Sequence, residues 1–370
     1  MNRMCRIYNK VAMMLISALL MVSCALDNPV EKQEIMTFQP VVNKARASKA
    51  ITQSTEYLTT ESFCISAFYF TNQDDATPQT NYIESNVVSH NGTVWNTPTD
   101  YYWPLSGYMD FKAYSPASLS SQGAKIEYSN GVSLLNYKID SFEDTQVDFM
   151  YSEPLNDKIT NAEHPEEVGI TFKHALTQVA FTVEPQKYFT TTATDGTTNQ
   201  VTITIDKLSL RNMYYRGSFS QNPTPQWDVY DEKKQELYHD ACLIDYTLLN
   251  KEPGQGTKLQ YDGTNKPKSV PVKLNENTDL AALLIPQTLN QEAALDVTYS
   301  VTQTTKRGDE VIVEPYTITF SNSINIQGNP KQVLEMGKKL VYNIRIGLDA
   351  ISLEATYGDW SGNEEMVEPQ

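Results

Sequence analysis

One periodicity runs through this chain from residue 36 to residue 360: short stretches in which β-branched and aromatic residues alternate with polar ones, separated by Asn, Asp, Gly, Pro, Ser and Thr. A period of two sends alternate side chains to opposite faces, so such stretches bury their apolar set only by forming sheets. Met36, Phe38 and Val42 share one face of a first strand. Pro40 lies on the same face and, having no N–H to donate, predicts an edge position. Phe63, Ile65, Ala67 and Tyr69 alternate in a second strand, and Cys64, Phe68 and Phe70 make its other face apolar as well. That strand is expected at the centre of a sheet.

Further strands are expected at residues 108–114, 168–172, 179–183, 201–210, 295–301, 311–320 and 340–348, with loops such as 71–79 and 190–200 between them. Residues 232–249 alone carry a helical pattern. Twenty-two tyrosines suit sheets whose outer faces accept a ring with a polar tip, as in antiparallel β-sandwiches. A length of 370 residues allows two domains. The polar stretch 163–167, with His164 and Pro165, divides two strand-rich halves, which predicts an all-β chain of two tandem sandwiches, 47–165 and 166–370.

The N-terminus predicts export. Arg3, Arg6 and Lys10 precede an apolar run from Val11 to Val22 that is too short for a permanent membrane helix. It has the order of a cleaved signal peptide over residues 1–23. Leu20-Met21-Val22-Ser23-Cys24 resembles a bacterial lipobox, so Cys24 is the expected lipidation site and outer-membrane anchor. Several acyl chains hold far more firmly than one, at about 0.8 kcal/mol per buried methylene. Residues 24–46 then form a polar tether and the first strand.

Without the leader's three cations the chain carries 26 Lys and Arg against 45 Asp and Glu, a balance that repels nucleic acid and anionic headgroups. Of four cysteines, Cys64 and Cys242 remain for the folded part, and two small buried side chains are expected rather than a bridge. No HExxH, GxSxG, CxxC, phosphate loop or GxGxxG occurs, and the four histidines lack metal-like spacing. Neither catalysis nor a cofactor is expected. His174, between two strand patterns, is expected to tie a turn by hydrogen bonds. Trp95, Tyr101, Tyr102 and Trp103 have two readings, a ligand surface on which sugar rings stack and a cover over the end of the first sandwich.

Several stretches, taken in order, resemble the fimbrillin-like family of Bacteroidetes: the lipobox, Thr37-Phe38-Gln39-Pro40-Val41, the run from Tyr102 to Pro116, Asp148-Phe149-Met150-Tyr151, Phe172-Lys173-His174-Ala175-Leu176, Leu283-Leu284-Ile285-Pro286-Gln287, and a closing strand ending on Trp360. The resemblance implies two transthyretin-like β-sandwiches and a subunit of type V pili at the cell surface. It further implies a lipidated precursor, cut by an arginine-specific protease after the first strand, whose vacated groove accepts a strand from the next subunit. Arg46 and Ala47 lie in a connector of small and polar residues, where nicking concentrates, although Lys44 and Lys49 offer competing sites. Residues 349–360 alternate cleanly and are either a donor strand or the last strand of their own domain. Two other readings stay open: a tip or surface adhesin binding a host or bacterial ligand, and a lipid-anchored glycan-binding protein.

Overall fold

A computed structural model describes residues 34–42, 62–139, 146–155, 157–160, 164–229, 243–274, 281–327, 333–348 and 350–360. Among the described residues the fold is nearly all-β, with one 3-10 helix at Ala117–Gln122. Ten strands come first: β1 (Phe38–Val42), β2 (Phe63–Phe70), β3 (Thr80–His90), β4 (Trp95–Asn96), β5 (Tyr108–Ser115), β6 (Ala124–Glu127), β7 (Gly131–Lys138), β8 (Met150–Ser152), β9 (Ile159–Thr160) and β10 (Val168–His174). Eight of them form one sheet in the order β2-β3-β4-β1-β10-β8-β5-β9.

Because β2 pairs with β5 as well as with β3, this sheet closes on itself. The expected central strand is therefore central, and its two apolar faces explain why. Phe63, Ile65 and Ala67 point into the barrel, while Cys64 joins the core of the second half. Closure removes free edges, which an open sandwich would have to protect.

The polar stretch expected to divide the halves precedes β10, and β10 returns to the barrel beside β1. The first hydrophobic unit therefore continues past residue 165. Conversely, β7 leaves the barrel to pair with a strand of the second half.

Seventeen strands follow among the described residues. The first are β11 (Thr177–Pro185), β12 (Thr191–Thr192), β13 (Thr197–Tyr214), β14 (Arg216–Ser220), β15 (Gln226–Asp228) and β16 (Leu243–Asn250). Next come β17 (Thr257–Lys258), β18 (Gln260–Tyr261), β19 (Pro267–Lys268), β20 (Val270–Pro271), β21 (Ala281–Leu284) and β22 (Gln287–Thr288). The chain closes with β23 (Ala294–Arg307), β24 (Glu310–Asn325), β25 (Val333–Leu334), β26 (Lys338–Ile346) and β27 (Ile351–Asp359).

Two sheets dominate this half. One runs β20-β11-β26-β27, with β21 also on β11, and the other places β12, β16 and β17 along one side of β13, followed by β23 and β24. They enclose a second core rich in Leu, Ile and Val.

The helix expected at 232–249 is not formed in its described part. Residues 243–250 are β16, because Tyr246, Leu248 and Leu249 are buried against β13, and ladder pairing with that strand outweighs local helix preference. Residues 231–242 lie outside the described residues. The loop expected at 190–200 shortens for a similar reason: β12 and the start of β13 form a small hairpin.

The halves are tied by a sheet in the order β15-β14-β7-β6. Gln221 reinforces it, since its side-chain oxygen accepts from the Val132 N–H at 2.8 Å and its amide donates to the Ser152 carbonyl at 2.7 Å. Gln146 does likewise with both backbone groups of Leu283. A buried amide with both ends satisfied fixes one register and no other.

Candidate strand-exchange site

β1 holds its expected face. Met36, Phe38 and Pro40 are buried, Val42 is half-buried, and Gln39 and Val41 face solvent. The edge position expected from Pro40 is overturned, because β1 lies inside the closed sheet, parallel to β10 over five residues and against β4 on the other side. β4 pairs only through Trp95 with Phe38, so no ladder there calls on an N–H from Pro40.

Just before β1 the chain is clamped antiparallel to residues 101–103. The Met36 N–H donates to the Tyr101 carbonyl at 2.8 Å and the Trp103 N–H donates to the Glu34 carbonyl at 2.9 Å, around a bridge between Ile35 and Tyr102. On the β10 side, Thr37 donates its hydroxyl to the Glu166 carbonyl and accepts from the Val168 N–H.

The slot is lined by rings. Phe38 meets the edges of Phe63 and Phe111 at centroid distances of 6.4 and 6.3 Å, and Phe63 touches Phe172 at 5.5 Å. Each large apolar side chain withdrawn from such a site gives up about 1.5–3 kcal/mol of burial. Without β1, the barrel would therefore lose its Met36, Phe38 and Pro40 contacts together and expose strand edges on β10 and β4.

The four aromatic residues considered as a ligand surface do not form one. Trp95 and Trp103 are interior, 9% and 2% exposed, packed against Phe63 and Phe111. Tyr101 is half-buried and its hydroxyl accepts from the Asn86 amide, which leaves Tyr102, 39% exposed, as the outward ring. The cause is barrel closure: Trp103 of the segment that clamps β1 and Trp95 of β4 both plug the interior.

Three histidines each lie against an indole: His90 on Trp95, His164 on Trp103 at 4.6 Å and 11°, and His174 on Trp360 at 4.1 Å and 3°. His239 lies outside the described residues. His174 also bonds Asp148 through Nδ1 at 2.7 Å, so it anchors the end of β10 as a structural residue. This contact joins three of the stretches singled out in the sequence. A fourth joins alongside, because Leu284 pairs with Thr177 just past His174, and Gln287 in the same stretch accepts from the Tyr214 N–H and donates to the Tyr214 and Ile285 carbonyls. Nothing in a one-dimensional pattern flags these glutamines.

At the far end, β27 pairs with β26 over nine residues and is an edge strand. Ile351, Leu353, Ala355 and Tyr357 are half-buried against the second core, while Ser352, Glu354 and Thr356 are exposed. The alternation expected over 349–360 is present, and the strand is docked on its own sheet.

Cys24, Arg46, Ala47 and Cys242 lie outside the described residues. Cys64 is a free, buried thiol whose pKa is pushed up by burial.

A family model for fimbrillin-like proteins matches residues 49–360. Among solved structures, a fimbrial protein from Bacteroides vulgatus ATCC 8482 superposes with a TM-score of 0.62 at 18% identity, over 89% of this chain and 100% of its own. That similarity is one of fold. A candidate cell adhesion protein from Bacteroides ovatus ATCC 8483 gives 0.46 at 15% identity, over 90% of this chain and 100% of its own. The tip fimbrial protein Mfa3 from Porphyromonas gingivalis, with a C-terminal truncation, gives 0.32 at 10% identity, over 81% and 94%. Comparison with curated proteins finds no match. The family match runs from ahead of β2, through the stitched junction, to the closing Trp360, and the chain belongs to the fimbrillin-like family.

Proposed function

We propose that the protein is a structural or accessory subunit of a cell-surface fimbria that supports adhesion. It is exported as an outer-membrane lipoprotein through Cys24, cut after Arg46, and assembled when a neighbour's strand replaces β1. The observation that carries this reading is the placement of β1. It is the first described strand in the sequence, yet it fills an interior position of a closed barrel with three buried side chains. A strand so placed can leave only if another takes over its hydrogen bonds and its apolar contacts, which is the condition for strand exchange.

Two further observations support it. The family match opens at residue 49, just past Arg46, and so leaves out β1. β27 has the alternating, half-buried pattern a donated strand needs and, among the described strands, only one neighbour to leave. Both its departure and its arrival are strand pairings, so the ladder lost on one subunit is regained on the next.

A glycan-binding platform would require outward-facing indoles, and Trp95 and Trp103 face inward. The surface-adhesin alternative keeps its anchor and exchanges no strand. N-terminal analysis of surface polymer separates these readings: an Ala47 start, abolished by Arg46→Ala together with heat-sensitive ladders on gels, is expected. Polymer in which every subunit retained an acylated Cys24 would overturn assembly by this route.

A further inference from the structure

The long hairpin of β23 and β24 extends beyond the second core. β24 pairs only with β23 among the described strands, leaving its other edge open. Tyr316 on it is 67% exposed and Ile318 42%, beside exposed Val311, Ile312 and Val313. An exposed, apolar edge strand of this length is a template for another strand.

The residues along the edge specify what that other strand is. Tyr316-Thr317-Ile318-Thr319-Phe320 reads nearly the same in both directions. In an antiparallel pair centred on Ile318, Tyr316 of one copy therefore meets Phe320 of the other, Thr317 meets Thr319, and Ile318 meets itself. Such pairs of aromatic and β-branched residues are the favourable units of a sheet. Charge selects the same centre, because Glu314 then faces Asn322, whereas a register centred nearer the hairpin tip would oppose the glutamates of the two copies.

The edge is also ordered in advance. Thr317, Thr319 and Ser321 share hydroxyl hydrogen bonds with Thr302, Ser300 and Thr298 of β23, at 2.9, 3.3 and 3.1 Å. Rotamers already fixed in the free molecule lose little freedom on docking. Register shifts opposite Thr305 bend the strand towards its tip, which confines regular pairing to the stretch around 316–320.

We propose that β24 is a self-recognition edge, through which two copies of this protein join side by side, antiparallel about Ile318, into one continuous sheet. A twofold contact of this kind uses the same patch on both partners and closes on itself. It is a lateral contact between subunits, and it requires neither loss of β1 nor donation by β27, so its test is independent of fimbrial assembly.

Oxidation of the full-length protein carrying Ile318→Cys reads this contact directly. At the twofold centre the two introduced thiols sit on directly opposed residues, whose Cα atoms are about 4.5–5.5 Å apart, within disulfide reach. Val313→Cys is the control: ten positions separate it from its twin's partner Ser323, so its thiols lie on the order of 30 Å apart in the paired dimer. Disulfide-linked dimer is expected to form at least about tenfold faster from Ile318→Cys than from Val313→Cys, because pre-association raises the effective thiol concentration above that of random collision. In a background of Ile318→Lys, where two cations oppose each other at the centre, sedimentation should show only monomer. Equal rates for the two thiols, no dimer from either, or undiminished association of Ile318→Lys would each overturn the proposal.

Discussion

β1 and β27 are both strands of about the same character in sequence, and the molecule treats them in opposite ways. β1 is gripped from two sides inside a closed barrel, with Met36 and Phe38 on its apolar face at 1% and 0% exposure. β27 rests on a sheet edge with one neighbour and its apolar face only half covered. The contrast teaches that depth of burial, rather than strength of alternation, separates a position that must always be filled from one that can be vacated. Removing β1 leaves a hole, whereas removing β27 leaves a new edge.

The comparison breaks most easily at Phe38. Phe38→Ala should destabilise the full-length protein by about 3–5 kcal/mol, whereas Leu353→Ala in β27 should cost about 1–2 kcal/mol, both read from denaturant midpoints. Equal costs would mean that β1 is no more deeply held than β27, and the distinction would fail.

A smaller effect is expected at the junction. His174→Ala removes both the bond to Asp148 and the stack on Trp360, and should cost about 1–3 kcal/mol while leaving the mutual packing of Phe38, Phe63 and Phe111 intact. Fluorescence of the four tryptophans and the unfolding midpoint together check it; a wild-type midpoint would show that the tie between the halves lies elsewhere.

The smallest expected effect concerns the barrel wall. Burial raises the pKa of Asp110, against the pull of Lys112 and Lys158. The folded state thus holds this proton more tightly than the unfolded chain, so its contribution is complete below the unfolded pKa and is lost as pH rises through the folded one. Asp110→Asn should therefore raise the melting temperature slightly at neutral pH and change nothing in strong acid. An Asn variant less stable than wild type at pH 7 would instead make the Lys112 pair, at 3.9 Å, the dominant contribution.

Much of this architecture was legible because alternation is local. The inward face of β1, the central role of β2 and the span of β27 all follow from side chains two positions apart. What escaped was set by partners distant in sequence. Pro40 argued for an edge because its missing N–H is usually a ladder bond lost, and only the brevity of β4 makes an interior position acceptable. Residues 243–249 looked helical until β13 supplied an edge for them. Whether Trp95 and Trp103 would form a surface or cover the end of the first half could not be read from the sequence, because a sequence does not say that a sheet will close through β2 and β5. The glutamines that lock the halves carry no periodic signal at all.

One further consequence attaches to the grip on β1. β1 is flanked lengthwise by β10, and the residues just before it lie antiparallel to the 101–103 segment, so traction along its axis loads both rows of hydrogen bonds at once. A ladder pulled in this direction must shear as a unit, whereas one peeled from its end parts bond by bond. If subunits join through this slot as proposed, a cell held against flowing liquid would be tethered by the stiffer of the two geometries.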